Sequence, residues 1–300
     1  MVLVPTVVIE HYDAFTCYNS PYVAHDDGRA IDLYPAGSTA PSPVCGEVID
    51  VHTVRAPPKP YANEFDHIIA IDTAAGGEAM FQSGGGEPTI ARILHVEPTV
   101  SVGDQVEIGD TLGELVRAGF FAPWVDNHIH LGFRRRESDL RRASGSLELA
   151  IDVPIVPITW DGHGQVRSLG ETFVMLDVSV DTHGTPRPRD WVGVATGEGA
   201  ILDGGMPHYA NGGLLDRLAL DALSASDMAV SLLDTEIGVA TGRRVSWHAL
   251  NVYANETVIT GISFYCSRWS DLGIKLICPA HDFHVGQHVD VEIRREPIEG

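Results

Sequence analysis

The residues best placed to do chemistry are in Asn127-His128-Ile129-His130-Leu131-Gly132-Phe133. Two histidines at i and i+2 with apolar neighbours read as a β-strand, whose alternation puts both imidazoles on one face, about 7 Å apart along the chain. A strand holds such rings more firmly than a loop does, which suits a metal ligand beside a base. A lone His-x-His is more often a strand with two half-exposed histidines, so the weight rests on what precedes it.

Upstream, Tyr22-Val-Ala-His25-Asp-Asp-Gly28-Arg-Ala-Ile-Asp32 sets a histidine and a carboxylate in a turn-prone stretch that leads into a strand. His25, Asp32 and a distant histidine make a sound three-ligand zinc set that leaves a fourth position open. Asp26 and Asp27 are rival oxygens. Ala40 to Val54 reads as a turn and an alternating strand, and His67 to Asp72 as another strand. Ala91-Arg-Ile-Leu-His95 is a strand ending in a histidine, followed by Val100-Ser-Val-Gly103-Asp104-Gln-Val-Glu-Ile-Gly109-Asp110-Thr-Leu-Gly113. Short β-segments punctuated by Gly-Asp turns predict a small rolled β-layer.

That run resembles two families. One is the biotinyl/lipoyl carriers, which need a lysine at a hairpin tip; no lysine lies between Lys59 and Lys275. The other is the lysostaphin-type (LytM-like) zinc metallopeptidases. Their order of signals is a His and an Asp, a Gly-bearing turn into a strand, a strand-ending His, the Val-x-x-Gly-Asp run and a closing His-x-His. It is matched here by His25 and Asp32, Pro43 to Val51, His95, Val100 to Gly113, and His128 and His130, over residues 20–135. The resemblance implies that His25, Asp32 and His130 bind Zn2+. It implies that His95 and His128 move protons and stabilise the oxyanion, a task for which imidazole is suited near neutral pH. Two departures stand out. The family's first motif is close to His-x-Gly-x-Asp, whereas six residues separate His25 from Asp32. The Ser/Thr-Gly stretch before His-x-His is replaced by Ala118-Gly-Phe-Phe-Ala-Pro-Trp124-Val-Asp-Asn127, which predicts a bulkier, more apolar wall over the cleft.

The elements that must position these residues are predicted to be mainly β. A LytM-like antiparallel β domain related in pattern to the biotinyl/lipoyl folds is expected over residues 1–136, a linker over 137–150, and a second, sandwich-like β domain of unassigned role over 151–300. Met1 to Glu10 reads as the first strand. Phe173 to Val180, Arg244 to Val252, Thr257 to Phe264 and Val289 to Ile293 read as later strands, and Leu214 to Leu223 as one helix. The arginines at 134–136 and 141–142 read as a solvated linker face. Cys278, His281, His284 and His288 form a cluster with four metal-capable side chains, although structural zinc sites usually draw ligands from two separated knuckles. Trp247-His248 reads as a packed strand pair.

Composition narrows the function. The net charge is −21 and only Lys59 and Lys275 are lysines. A surface so rich in carboxylates gains from screening and fits a salt-rich cytosol. It argues against nucleic acid and anionic membranes, since nothing would neutralise phosphates. No apolar run reaches the roughly 18 residues of a membrane span. Met1 to Glu10 lacks a basic leader and a cleavage site, so a cytoplasmic protein is expected. The four cysteines lack paired spacing and read as buried thiols. The expectation is a zinc metallohydrolase acting on a small peptide or amide. The alternative is a non-catalytic relative that binds or scaffolds a protein partner.

Overall fold

The computed structural model describes residues 1–74, 80–178, 180–181, 186–215 and 227–296. It divides into two units, one of Met1–Phe15 with Gly28–Val153, the other of Thr16–Asp27 with Pro154–Gly300. Both are β, as the alternation predicts.

In the first unit six antiparallel strands run in the order Ile31–Tyr34, Ile129–Arg134, Ile90–Leu94, Phe65–Asp72, Gly46–Arg55, Gln105–Val106. Ile31, Leu33, Ile69, Ile71, Ile93, Leu131 and Phe133 are fully buried. Each such side chain contributes about 1.5–3 kcal/mol by leaving water. Phe81 stacks on Phe133 with centroids 5.0 Å apart.

The Gly-Asp run forms the small β-layer expected of it. Thr39–Pro41, Thr111–Leu115 and Val96–Pro98 make a three-stranded sheet. Asp104 and Asp110 each accept a backbone N–H at 2.8 Å, from Ser101 and Glu107, closing turns in which Gly103 and Gly109 take φ of 96° and 91°. Such φ values suit residues without a Cβ.

Three readings differ from the sequence expectation. The first strand stops at Pro5, and Thr6–Ile9 forms one helical turn that buries Val8 and Ile9. Proline's fixed φ and missing N–H make it a natural point of entry to that turn. Residues 137–150, expected as a linker, fall within the first unit, and Leu149–Asp152 pairs in parallel with Val2–Pro5. Arg134 is not solvated. It is 1% exposed and donates to the carbonyls of Arg142, Ala143 and Ser144, folding that segment back on the strand. A guanidinium fork satisfies three carbonyls at once, which offsets the cost of burying its charge. Arg135, Arg136 and Arg142 behave as expected, pairing with Glu87, Asp72 and Asp139 at the surface.

Among the described residues the second unit is built on a twelve-stranded sheet, from Met228–Leu232 at one edge to Thr257–Ile259 at the other. Its core gathers Val174, Leu176, Leu202, Met206, Phe264 and Leu276. The strands expected near 173, 244, 257 and 289 are present as Phe173–Asp177, Arg244–Trp247, Thr257–Ile259 with Gly261–Phe264, and His288–Arg295. Past Leu215 the helix expected over Leu214–Leu223 lies outside the described residues, and Leu214 itself ends the strand Asn211–Leu214. Among the described residues no helix is long and apolar enough to cross a membrane.

Candidate metal centre

Asp32 and His130 are direct cross-strand partners in the antiparallel pair of Ile31–Tyr34 and Ile129–Arg134. Partners in register project to the same face, so the pairing itself brings the two side chains together. His130 Nδ1 lies 2.9 Å from Asp32 Oδ1. The strand begins at Ile129, so His128 stands just ahead of it. His128 Nε2 nonetheless comes within 3.5 Å of Asp32 Oδ2, while its Nδ1–H donates to the Asp126 carbonyl at 2.8 Å. One carboxylate thus meets both rings of the His-x-His.

His95 follows the strand Ile90–Leu94 with φ of 71°, a left-handed turn that breaks the alternation. The turn brings the ring to His128 and His130, at centroid distances of 5.1 and 5.9 Å. What holds it there is Asp66, 0% exposed on the strand Phe65–Asp72. Burial opposes charging this carboxyl. The His95 imidazole and the backbone N–H groups of His67 and His95 outweigh burial and hold it below the usual carboxylate range. Asp66 is the functional candidate that sequence reasoning missed. Its signal was a carboxylate that shares by alternation the inward face of Ile68 and Ala70.

His25 is buried, and its Nδ1 is 2.9 Å from the Cys17 carbonyl. A carbonyl only accepts, so Nδ1 carries the proton. Asp26 and Asp27, the rival oxygens, instead face Asn211 at 3.4 Å and Arg244 at 3.9 Å.

Phe121 supplies the apolar wall, stacked on His128 at 4.5 Å and edge-on to His95 at 4.6 Å. Arg117 fixes its loop by donating to the carbonyls of Val125 and Pro123 at 2.6 and 2.7 Å.

The downstream cluster does not converge. Cys278 turns its Sγ to the Leu276 carbonyl, burial pushes its thiol up to about 11, His281 donates to the Gly170 carbonyl, and His284 and His288 are exposed. Trp247 packs against the core of the second unit, and His248 Nε2 lies 2.8 Å from Glu236.

Comparison with known families adds no chemistry. Residues 3–151 match the model of the domain of unknown function DUF8155, N-terminal domain, and residues 156–294 match that of its C-terminal domain. No curated protein and no solved structure matches the chain.

Proposed function

We propose that this chain, which belongs to the DUF8155 family through both its halves, is a zinc-dependent metallohydrolase of lysostaphin-like type that cleaves a peptide or amide bond. The observation that carries the reading is the pairing of Asp32 with His130 at 2.9 Å, with His95 and His128 beside them, to which the family resemblance adds His25 as a ligand. Two imidazoles and one carboxylate fit zinc, and a three-ligand set leaves room for substrate or water. Zinc, when bound, supplies Lewis acidity that polarises a carbonyl and makes water more acidic.

The protein's own groups do the rest. Asp66 fixes the tautomer and direction of His95, leaving Nε2 to take up a proton from attacking water and return it to the leaving amine. Asp66 is also the counter-charge when that ring is protonated. His128, locked by the Asp126 carbonyl, holds Nε2 3.5 Å from Asp32, where its protonated form steadies an oxyanion. Phe121 excludes water from both rings and favours an apolar group next to the scissile bond. The charge of −21 disfavours anionic substrates.

The test is metal content by elemental mass spectrometry on wild type and His130→Ala, both checked for folding. About one zinc per chain, lost in the variant, is expected. A folded wild-type protein that takes up no zinc on reloading overturns the hydrolase reading and leaves a binding module.

A further inference from the structure

The direction of His25 is set by residues far from it in sequence. Its segment, Thr16–Asp27, groups with the second unit and is held there on both sides of the histidine. Ahead of it stands Asp203, 0% exposed on the strand Leu202–Met206. Oδ1 of Asp203 accepts the Thr16 hydroxyl, and Oδ2 accepts the N–H groups of Cys17 and Tyr18 at 2.5 and 3.1 Å. The Tyr18 ring sits where a Cβ on Gly213 would lie only 2.3 Å away, so a glycine makes its seat. Beyond the histidine, Asn211 reaches Asp26 and Arg244 faces Asp27.

Cys17 links the two ends of this arrangement. Its N–H is given to Asp203, and its carbonyl accepts His25 Nδ1–H at 2.9 Å. Three donors converge on two carboxylate oxygens. An amide in their place would turn an NH2 onto one of them, because only a carboxylate accepts at both ends.

We propose that Asp203 is a positioning residue for His25. Through Cys17 it fixes the tautomer and ring direction of that imidazole, and so sets how strongly the ring binds a metal. This rests on His25 being a zinc ligand as proposed above. Partners that orient a ligand imidazole are worth about 10–100-fold in metal affinity.

The experiment uses the full chain as wild type, Asp203→Asn, His25→Ala and the double variant, titrated with zinc against a chromophoric chelator. Asp203→Asn is expected to weaken zinc by about 10–100-fold, and the double variant to bind no more weakly than His25→Ala. Effects that add in the double variant assign Asp203 a general structural role and overturn the proposal. The metal-free protein gives a second readout, the imidazole 1H–15N spectrum with His25 identified by its loss in His25→Gln. Wild type should show a single Nδ1–H tautomer and Asp203→Asn a mixture. An unchanged tautomer in Asp203→Asn overturns the proposal whether or not wild type binds zinc. Thr16→Val, which deletes one donor to Asp203, carries the same test if Asp203→Asn does not fold.

Discussion

Asp66 binds His95 twice, accepting the ring Nδ1–H on Oδ2 at 2.6 Å and the backbone N–H on Oδ1 at 3.0 Å. Side chain and main chain are pinned by one carboxylate, so the ring can neither turn about χ1 nor leave with a shift of the left-handed turn that carries it. The carboxyl is held below its usual value of 3.8. A depressed folded value stabilises the protein above the unfolded value, and that stability is lost as pH falls through the folded one. The thermal midpoint of wild type should therefore drop more steeply than that of Asp66→Asn between pH 5 and about pH 3. Parallel curves would show that Asp66 carries no such linkage. If His95 is the base, the same variant should lose about 10²-fold in amide hydrolysis.

Arg134 makes a second prediction. Truncation to Ala removes a buried guanidinium together with its hydrogen bonds to the carbonyls of residues 142, 143 and 144. Hydrogen bonds from a charged group contribute about 1.5–3 kcal/mol each, so a loss of about 3 kcal/mol or more is expected in urea unfolding. Arg134→Lys should restore little, because an ammonium lacks the planar fork. Near wild-type stability in Arg134→Ala would mean that the 135–148 segment does not depend on it.

Two glycines of the Gly-Asp run should part company. A Cβ on Gly113 would lie 1.9 Å from the Glu97 carbonyl oxygen across the sheet, whereas one on Gly103 meets nothing within 4 Å. Gly103→Ala should cost about 1 kcal/mol, the strain of a positive φ alone. Gly113→Ala must also push two paired strands apart and should cost several times more, or prevent folding. Equal chemical-denaturation midpoints for the two variants would contradict this account.

The acidic surface makes a prediction that needs no site. With 41 acidic and 20 basic side chains, repulsion should fall as the screening length shrinks from about 10 Å at 0.1 M salt to about 3 Å at 1 M. The melting temperature should rise by several degrees across that range in potassium chloride. The contact of Asp66 with His95 is buried, so the stability difference between wild type and Asp66→Asn should stay nearly constant. A flat salt curve would refute the surface argument alone.

Much of the candidate site was legible because strand periodicity is local. His130 lies on a strand with His128 just ahead of it, His95 directly follows another strand, and Gly-Asp pairs mark turns in the run that follows. The placement of Arg134 was not legible. A run of arginines looks solvated until the chain folds a row of carbonyls over one of them. Asp66 was hidden for the same reason, since its partner lies 29 residues downstream and only the register of the sheet joins them.

By itself the sequence determined the β character of both halves and the net charge of −21, both properties of composition and short-range period. The tertiary structure alone decided which groups meet. Antiparallel register set Asp32 against His130 across 98 residues, and a buried carboxylate turned His95 inward. Asp203, 178 positions after His25, reached back to hold the segment that carries it. Such meetings depend on how strands pair over long separations, where one residue of slip would send every side chain to the opposite face.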